Sequence, residues 1–460
     1  MSTSSKKTKK RQQKVSIHQD WPLINADACG VDLGSREHWV CVPQDRDAQP
    51  VRCFGTFTPD LEALAQWLKE CRITSVAMEA TGVYWIPLFQ LLERRGFQVL
   101  LVNARQIKNV SGRKSDVQDC QWIQRLHTYG LLGGSFRPAD PYCVVRSYLR
   151  YRDELVSARS TQIQHMQKAL AQMNVQLNQV LSDVTGESGL AIIEAILKGE
   201  RHPLKLAALA NRRVKAPRDK IAKALLGDYR AEHLFQLQCA FDLHHVFETK
   251  ILSCDEAMAA ELDRLPDRVN PQHKPLPAKI DPNKKINEAI REVLYRKMGV
   301  DVTAVEGVGV LVGLTLLSEV GPILDAFKTE KHFASWLGLC PDNRISGGKI
   351  LSCRTRRVVN RLSDALRLAA TTLERSPTAL GSYYRRMKAK LGAAEGITAT
   401  AHKLARILYR LLRHGEAYVR QGLVDYEKKH HERKLKSLQK TAQAMGLQLI
   451  PKELNAQGVS

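Results

Sequence analysis

The chain contains no uninterrupted apolar run of about 20 residues, the length a membrane-spanning helix needs, and no secretory pattern at its start. It is therefore read as soluble and cytoplasmic, with no membrane partner. Its ten cysteines include no C-x-x-C pair and no zinc-type spacing with histidine, which argues against a zinc finger or a disulfide framework. Most are read as small core hydrophobes in a reducing compartment. His244-His245 and His430-His431 fall in helix-like, polar surroundings and are not taken as metal ligands. No convincing internal repeat is found. Negative charge is also in short supply: 47 Asp and Glu stand against 70 Lys and Arg, a net charge of +23. A surplus of that size, spread along the chain, is the footprint expected for phosphate-rich partners, and nucleic acid is the first to consider.

With 460 residues the chain is long enough for two to four domains at about 150 residues each. Residues 1–26 read as a disordered basic arm. Residues 27–141 carry three short β-rich runs, CGVDLG, HWVCVP and VRCFGTF, and then a helix (Pro59 to Cys71), a strand (SVAMEA), a helix (Tyr84 to Arg95) and a strand (QVLLVN). A meander followed by alternating helices and strands predicts an α/β domain of the ribonuclease-H-like order. In residues 142–265 the period becomes seven. Tyr142, Leu149, Val156, Ile163, Leu170 and Leu177 share one heptad position, and Val145, Met166, Met173 and Val180 share the other. The pattern predicts a long helix with a coiled-coil seam. Arg152 and Arg159 interrupt that seam, so its partner is expected to be a later helix of the same chain, about Ala222 to Leu265, or a weakly held second subunit. Residues 266–285 are proline-rich and read as a linker and domain boundary. Residues 286–425 are read as a mainly α domain, and 426–460 as a basic tail, helical or loose.

Two constellations carry chemistry. Asp32 ends the first strand, Glu79 ends a later one, and Asp116 and Asp119 in KSDVQDC are spaced to share one helix face. Acidic groups brought together this way repel one another unless a cation such as a Mg²⁺ pair offsets the repulsion. Two such ions can clamp the attacking and leaving oxygens of a phosphodiester. Surface acids near caps and turns are the competing reading, and Asp45, Asp47 and Glu62 are assigned to it. The second constellation is Ser346, followed by two glycines and crowded by Arg344, Lys349, Arg354, Arg356 and Arg357. No Ser-His-Asp order accompanies it, and Ser-Gly-Gly on spacing alone is most often a turn. Upstream, Gly307-Val308-Gly309 lies between apolar stretches read as two helices, like a helix-hairpin-helix element able to present backbone N–H groups to phosphate. A packed helical hairpin is an equal reading of those glycines.

Taken together, GVDLGSREHWV, MEATGVYW, KSDVQDC, EGVGVLVGLTLLSEVG and WLGLCPDNRISGG through NRLSDALRLAA resemble the DEDD-type insertion-sequence transposases, the bridge-RNA-guided serine recombinases of bacterial mobile elements. The resemblance runs from about Ala28 to Gly422. It implies an acidic N-terminal domain, a coiled-coil connection and a mainly α C-terminal transposase domain. It also implies Asp32, Glu79, Asp116 and Asp119 as ligands of Mg²⁺ (or Mn²⁺) and Ser346 as the nucleophile that becomes phosphoserine. The implied partners are donor and target DNA, a noncoding guide (bridge) RNA that supplies specificity by base pairing, and further copies of the chain in a dimer or tetramer on nucleic acid. Many relatives have a lysine and then glycine-asparagine after the serine loop, where this chain has Arg356-Arg357 and Val359-Asn360, so phosphate contacts there are expected to differ. A hydrolytic ribonuclease-H-like nuclease or junction resolvase, with Ser346 only a turn residue, is the alternative enzyme reading. A non-catalytic RNA- or DNA-binding protein is the reading from another class, and four intact acids argue against it.

Overall fold

The computed structural model describes residues 22–80, 82–103, 107, 115–279 and 286–449. The first 21 residues of the expected basic arm, and Pro282 of the proline-rich stretch, lie outside these. The chain divides into two compact units, residues 1–136 and 137–460.

The first unit is an α/β layer structure. β1 (Ala28–Leu33), β2 (Glu37–Cys41) and β3 (Val51–Gly55) form the expected meander. After α1 (Thr58–Glu70) come β4 (Ser75–Glu79), α2 (Trp85–Arg94) and β5 (Gln98–Val102). The sheet order is β3-β2-β1-β4-β5, with β2 antiparallel to both its neighbours and β1, β4 and β5 parallel. β1 is central and reads as a nearly continuous apolar run because both of its faces are covered. Cys29, Val31 and Leu33 face α1 and α2, packing with Leu64, Leu68, Leu88 and Leu92.

Its other face receives α3 (Asp116–Thr128), and Gly30 makes that possible. A Cβ on Gly30 would fall 2.2 Å from the backbone N of Gln124 and 2.5 Å from the carbonyl oxygen of Cys120. Gly30→Ala should therefore cost about 1–3 kcal/mol by overpacking and push α3 off the sheet. Chemical denaturation checks this, and a variant that unfolds at the wild-type midpoint would contradict so close an approach of α3.

In the second unit α4 (Asp140–Gln172) pairs with α8 (Ala231–Arg264). Arg152 Nε donates to Asp255 Oδ1 at 2.5 Å, and Arg159 lies 3.6 Å from Glu248, so residue numbers rise along one helix as they fall along the other. The partner of the heptad run is thus a later helix of the same chain. The two arginines that break the seam are matched there by carboxylates, while Leu155, Ile251 and Cys254 pack between them. The helix does not continue to Val180 as the heptads predict. It ends at Gln172, Asn174 takes a positive φ of 55°, and Leu177 and Val180 fold back into a cluster with Met166, Leu170 and Met173. Short helices α5 (Glu187–Leu197), α6 (Pro203–Ala208) and α7 (Arg218–Ala224) join that cluster, as do Leu237, Ala240 and Phe241 of α8.

The proline-bearing stretch does not divide the compact units. Through Pro277 it is bonded to α9 (Glu288–Met298): Arg291 donates to the Pro277 carbonyl at 2.7 Å, Arg268 N–H to the Arg296 carbonyl at 2.8 Å, and the buried Lys297 to the Leu265 carbonyl at 2.6 Å. Then follow α10 (Val310–Val320), α11 (Glu330–Trp336), a hairpin of β6 (Arg344–Ser346) and β7 (Lys349–Ser352), α12 (Arg361–Thr372), α13 (Ala379–Leu391) and α14 (Ala393–Ala444). Gly415, at φ 80° and ψ 178°, breaks α14 into two helices, the second of which carries the basic tail as far as Ala444. Among the described residues no helix is long and apolar enough to cross a membrane.

Candidate active site

Asp32 and Glu79 reach one place because of strand register. Val31 stands beside Met78 in the parallel pair of β1 and β4, so the next residues, Asp32 and Glu79, are neighbours at the carboxyl ends of the two strands. Met78 belongs to the core under α1 and α2, and Ala77 packs with Ile123 of α3, so alternation turns Asp32 and Glu79 toward the α3 face. α3 runs antiparallel to β1. Gln124 Nε2 reaches the Ala28 carbonyl at 3.5 Å, and the Ile24 N–H bonds the Thr128 carbonyl at 2.9 Å. The C-terminal half of α3 therefore lies over the start of β1, and its first turn, with Asp116 and Asp119, lies by the strand's end. Ser115 caps that turn, accepting from the Gln118 N–H at 3.3 Å, and the positive end of the helix partly offsets the two carboxylates.

The other three acids act on Asp32. Burial, and then the negative charges of Asp119, Asp116 and Glu79, lift the Asp32 carboxyl from 3.8 to about 6, against a smaller opposing effect of the Leu33 N–H. Among the described residues no three of these carboxylates bring oxygens within 4.8 Å of one another. A raised carboxyl pKa has a definite sign in stability. The native state binds the proton more tightly than the unfolded chain, so this contribution is complete below pH 3.8 and is lost as pH rises through about 6. In chelator and without divalent cations, Asp32→Asn should melt with wild type near about pH 4 and above it beyond about pH 6.5. The ceiling is about 3 kcal/mol, lowered by solvent screening. Melting curves that differ by the same amount at both pH values would show that neither burial nor the neighbouring carboxylates raise Asp32.

Ser346 ends β6, and Gly347 and Gly348, both at positive φ (54° and 76°), make the two-residue turn into β7. Turns of that kind match strand twist and require left-handed residues, which explains the glycine pair. Lys349 stands directly across from Ser346, which puts a cation beside the hydroxyl. Ser346 is exposed, and its hydroxyl bonds to nothing among the described residues. Arg344, Lys349 and Arg354 are likewise exposed and in no ion pair among the described residues. Arg356 is committed elsewhere: its guanidinium holds the Ser335 carbonyl at 2.8 Å and hydroxyl at 3.0 Å. Arg357 is exposed and engaged with its surroundings. Asn360 caps α12, accepting from the Ser363 N–H at 3.1 Å.

The hairpin of Gly307 and Gly309 differs from the expected pair of apolar helices. Only α10 follows it as a helix, and the residues before it form a single 3₁₀ turn, Val302–Ala304. Asp301 caps the start of that turn: its carboxylate accepts from the Thr303 N–H at 3.0 Å and is held by the buried Arg291. Gly307 has a φ of 79° and passes close to the Ala369 carbonyl, and Gly309 sits at the N-terminus of α10 with open space around it.

One basic cluster was not visible in the sequence. Lys403 of α14 lies 3.4 Å from the ring centre of Tyr426 and 4.5 Å from that of Tyr383. Burial, and then Arg386, Arg406 and Arg433, push its pKa down to about 8. Its members come from separated parts of α13 and α14, and no motif of fixed spacing links them.

An α/β unit with four converging strand-end and helix-end acids, and a helical unit with a basic, serine-bearing hairpin, define a two-part class of protein. Residues 29–175, which include all four acids, match the family model for DEDD transposases of the IS110 type, described as Transposase. Residues 301–385, which include Ser346, Gly307, Gly309 and the surrounding basic residues, match the Transposase IS116/IS110/IS902 family. Between them the two matches take in half of the chain, and the chain belongs to the IS110-type transposases. It is also similar to y4pF/y4sB of Sinorhizobium fredii (strain NBRC 101917 / NGR234), a protein named as a transposase, with 35% identity over 124 residues. That match spans 25% of this chain and 31% of the relative.

Proposed function

We propose that this chain is a DNA recombinase that moves an insertion sequence by cutting and rejoining DNA through Ser346, with the help of a metal-binding acidic site. The observation that carries the reading is the placement of Asp32, Glu79, Asp116 and Asp119 on one face of the sheet, at the ends of β1 and β4 and in the first turn of α3. The strand order, a meander joined to parallel strands, supports a ribonuclease-H-like identity for the unit. Four hard oxygen donors that repel one another are a donor set suited to Mg²⁺ or Mn²⁺. Bound there, such an ion would stabilise negative charge on a phosphodiester.

The residues of the chain account for the rest. Arg344, Lys349 and Arg354 draw a phosphate to the hairpin. The Ser346 Oγ attacks phosphorus and gives up its proton. The Oγ–P bond forms, one P–O bond to deoxyribose breaks, and the deoxyribose oxygen leaves as a hydroxyl with a proton. Attack by a hydroxyl of another strand reverses these steps and returns the serine. A noncoding guide RNA is the partner the family resemblance supplies for choosing donor and target DNA, and the charge of +23 suits an assembly of several chains on such polyanions.

Stopping the reaction with denaturant on labelled DNA tests the proposal. A protein–DNA adduct resistant to denaturant, and mapped by peptide mass to Ser346, is the expected result. Cleavage without any adduct would leave a hydrolytic nuclease instead.

A further inference from the structure

Helix α8 carries a second group of potential ligands, far in chemistry from the acidic cluster. His244 and Glu248 are four residues apart and His245 and Glu248 three, so the carboxylate sits on the next turn, between the two imidazoles. His244 Nδ1 lies 3.8 Å and His245 Nδ1 3.7 Å from the same oxygen, Glu248 Oε2. On the other side Arg159 Nη1 of α4 is 3.6 Å from Oε1. All three separations exceed hydrogen-bond length. Three groups thus converge on one carboxylate without hydrogen-bonding it. His244 is only 2% exposed, yet its Nδ1 is buried with no hydrogen-bond partner, a state that normally costs free energy. The imidazole planes stand at 87°, and the Phe241 and His245 rings pack nearly perpendicular with centres 4.6 Å apart, which restricts the rotation of the imidazole.

We propose that His244 Nδ1, His245 Nδ1 and Glu248 Oε2 form a three-ligand transition-metal site, selective for Zn²⁺ over Mg²⁺, with its fourth position open to solvent. Ligand atoms bound to zinc at about 2.0–2.2 Å in tetrahedral geometry stand roughly 3.4 Å apart, a few tenths of an ångström inside the two nitrogen–oxygen separations seen here, and all three ligand atoms lie within 4.8 Å of one another. Two imidazole nitrogens and one carboxylate favour zinc and its neighbours, whereas magnesium prefers oxygen throughout. Asp183 adds negative charge near His244. Arg159 opposes the cation and competes for Glu248. The site lies where α4 meets α8, so a bound ion would supply the buried nitrogen with a partner and clasp the helix pair.

Full-length protein, stripped with chelator and titrated with Zn²⁺ against a chromophoric competitor, tests this. About one equivalent should bind, and Co²⁺ in its place should give the visible absorption of a four-coordinate nitrogen and oxygen site. Glu248→Gln and His245→Ala, both at partly exposed positions, should each weaken Zn²⁺ by more than roughly tenfold. Arg159→Gln should tighten it, because the competing cation is gone. The double variant His430→Ala and His431→Ala, and Asp32→Asn in the acidic cluster, should bind as wild type does. Circular dichroism on every variant separates loss of a ligand from loss of folding. Wild-type affinity in folded Glu248→Gln and His245→Ala, loss of zinc in the His430 and His431 double variant, or no stoichiometric binding at all would overturn the assignment.

Discussion

Ser346→Ala is expected to abolish strand exchange and the covalent adduct while leaving the melting temperature unchanged. The two halves of this expectation have separate physical grounds. The side chain is exposed and its hydroxyl has no hydrogen-bond partner among the described residues, so deleting it should shift stability by less than about 0.5 kcal/mol. The Gly347-Gly348 turn that sets the hairpin is untouched. Chemically, the other serine of the hairpin strands is differently placed. The Ser352 hydroxyl, at the far end of β7, accepts from the Arg354 N–H at 3.3 Å and belongs to the hairpin's own bonding. Removing a nucleophile should lower the rate by at least about 10³-fold. Recombination of a two-plasmid substrate, run beside a thermal melt, checks both halves. Strand exchange at the wild-type rate would remove Ser346 from the chemistry.

Much of the first unit was legible because its signals are local. Strand alternation, the proline at the start of α1 and the three-residue spacing of Asp116 and Asp119 each act over one turn or one strand, and the observed strands and the helices α1 and α2 end within two residues of the expected ones. The face on which the acids meet depends on strand register and on the close approach of α3 at Gly30, which alternation alone does not report. In the second unit the heptads correctly marked a packed helix, but they carried no signal for its end. No proline or glycine stands at residue 173, and the chain turns at Asn174 because short helices cover Leu177 and Val180. The apolar run before Gly307 misled for a related reason. Val302 and Val305 are buried core residues, and a buried 3₁₀ turn has the same composition as a buried helix. Polar neighbours in sequence likewise concealed the burial of His244, which is imposed by the packing of α8.

The acids are expected to give the second large effect, and they also test how the two units cooperate. Asp32→Asn, Glu79→Gln, Asp116→Asn and Asp119→Asn each keep the side-chain shape and remove one negative charge. Each should lower recombination roughly a hundredfold or more, because a site that holds its divalent ion poorly forfeits the several kcal/mol of transition-state stabilisation the ion would supply. Each should also raise the Mg²⁺ concentration needed for half-maximal activity. Wild-type rates and an unchanged Mg²⁺ response in three of the four would mean the cluster is not the metal site. Serine and acids lie in different compact units, at residues 137–460 and 1–136. If the active assembly joins the serine of one chain to the acids of another, a mixture of Ser346→Ala and Asp32→Asn chains, each inactive alone, should recover part of the wild-type rate. In some mixed assemblies an intact Ser346 then stands beside an intact Asp32. Mixed assemblies that form on DNA, as shown by differently tagged chains, and yet stay inactive would mean that each chain brings its own acids to its own serine.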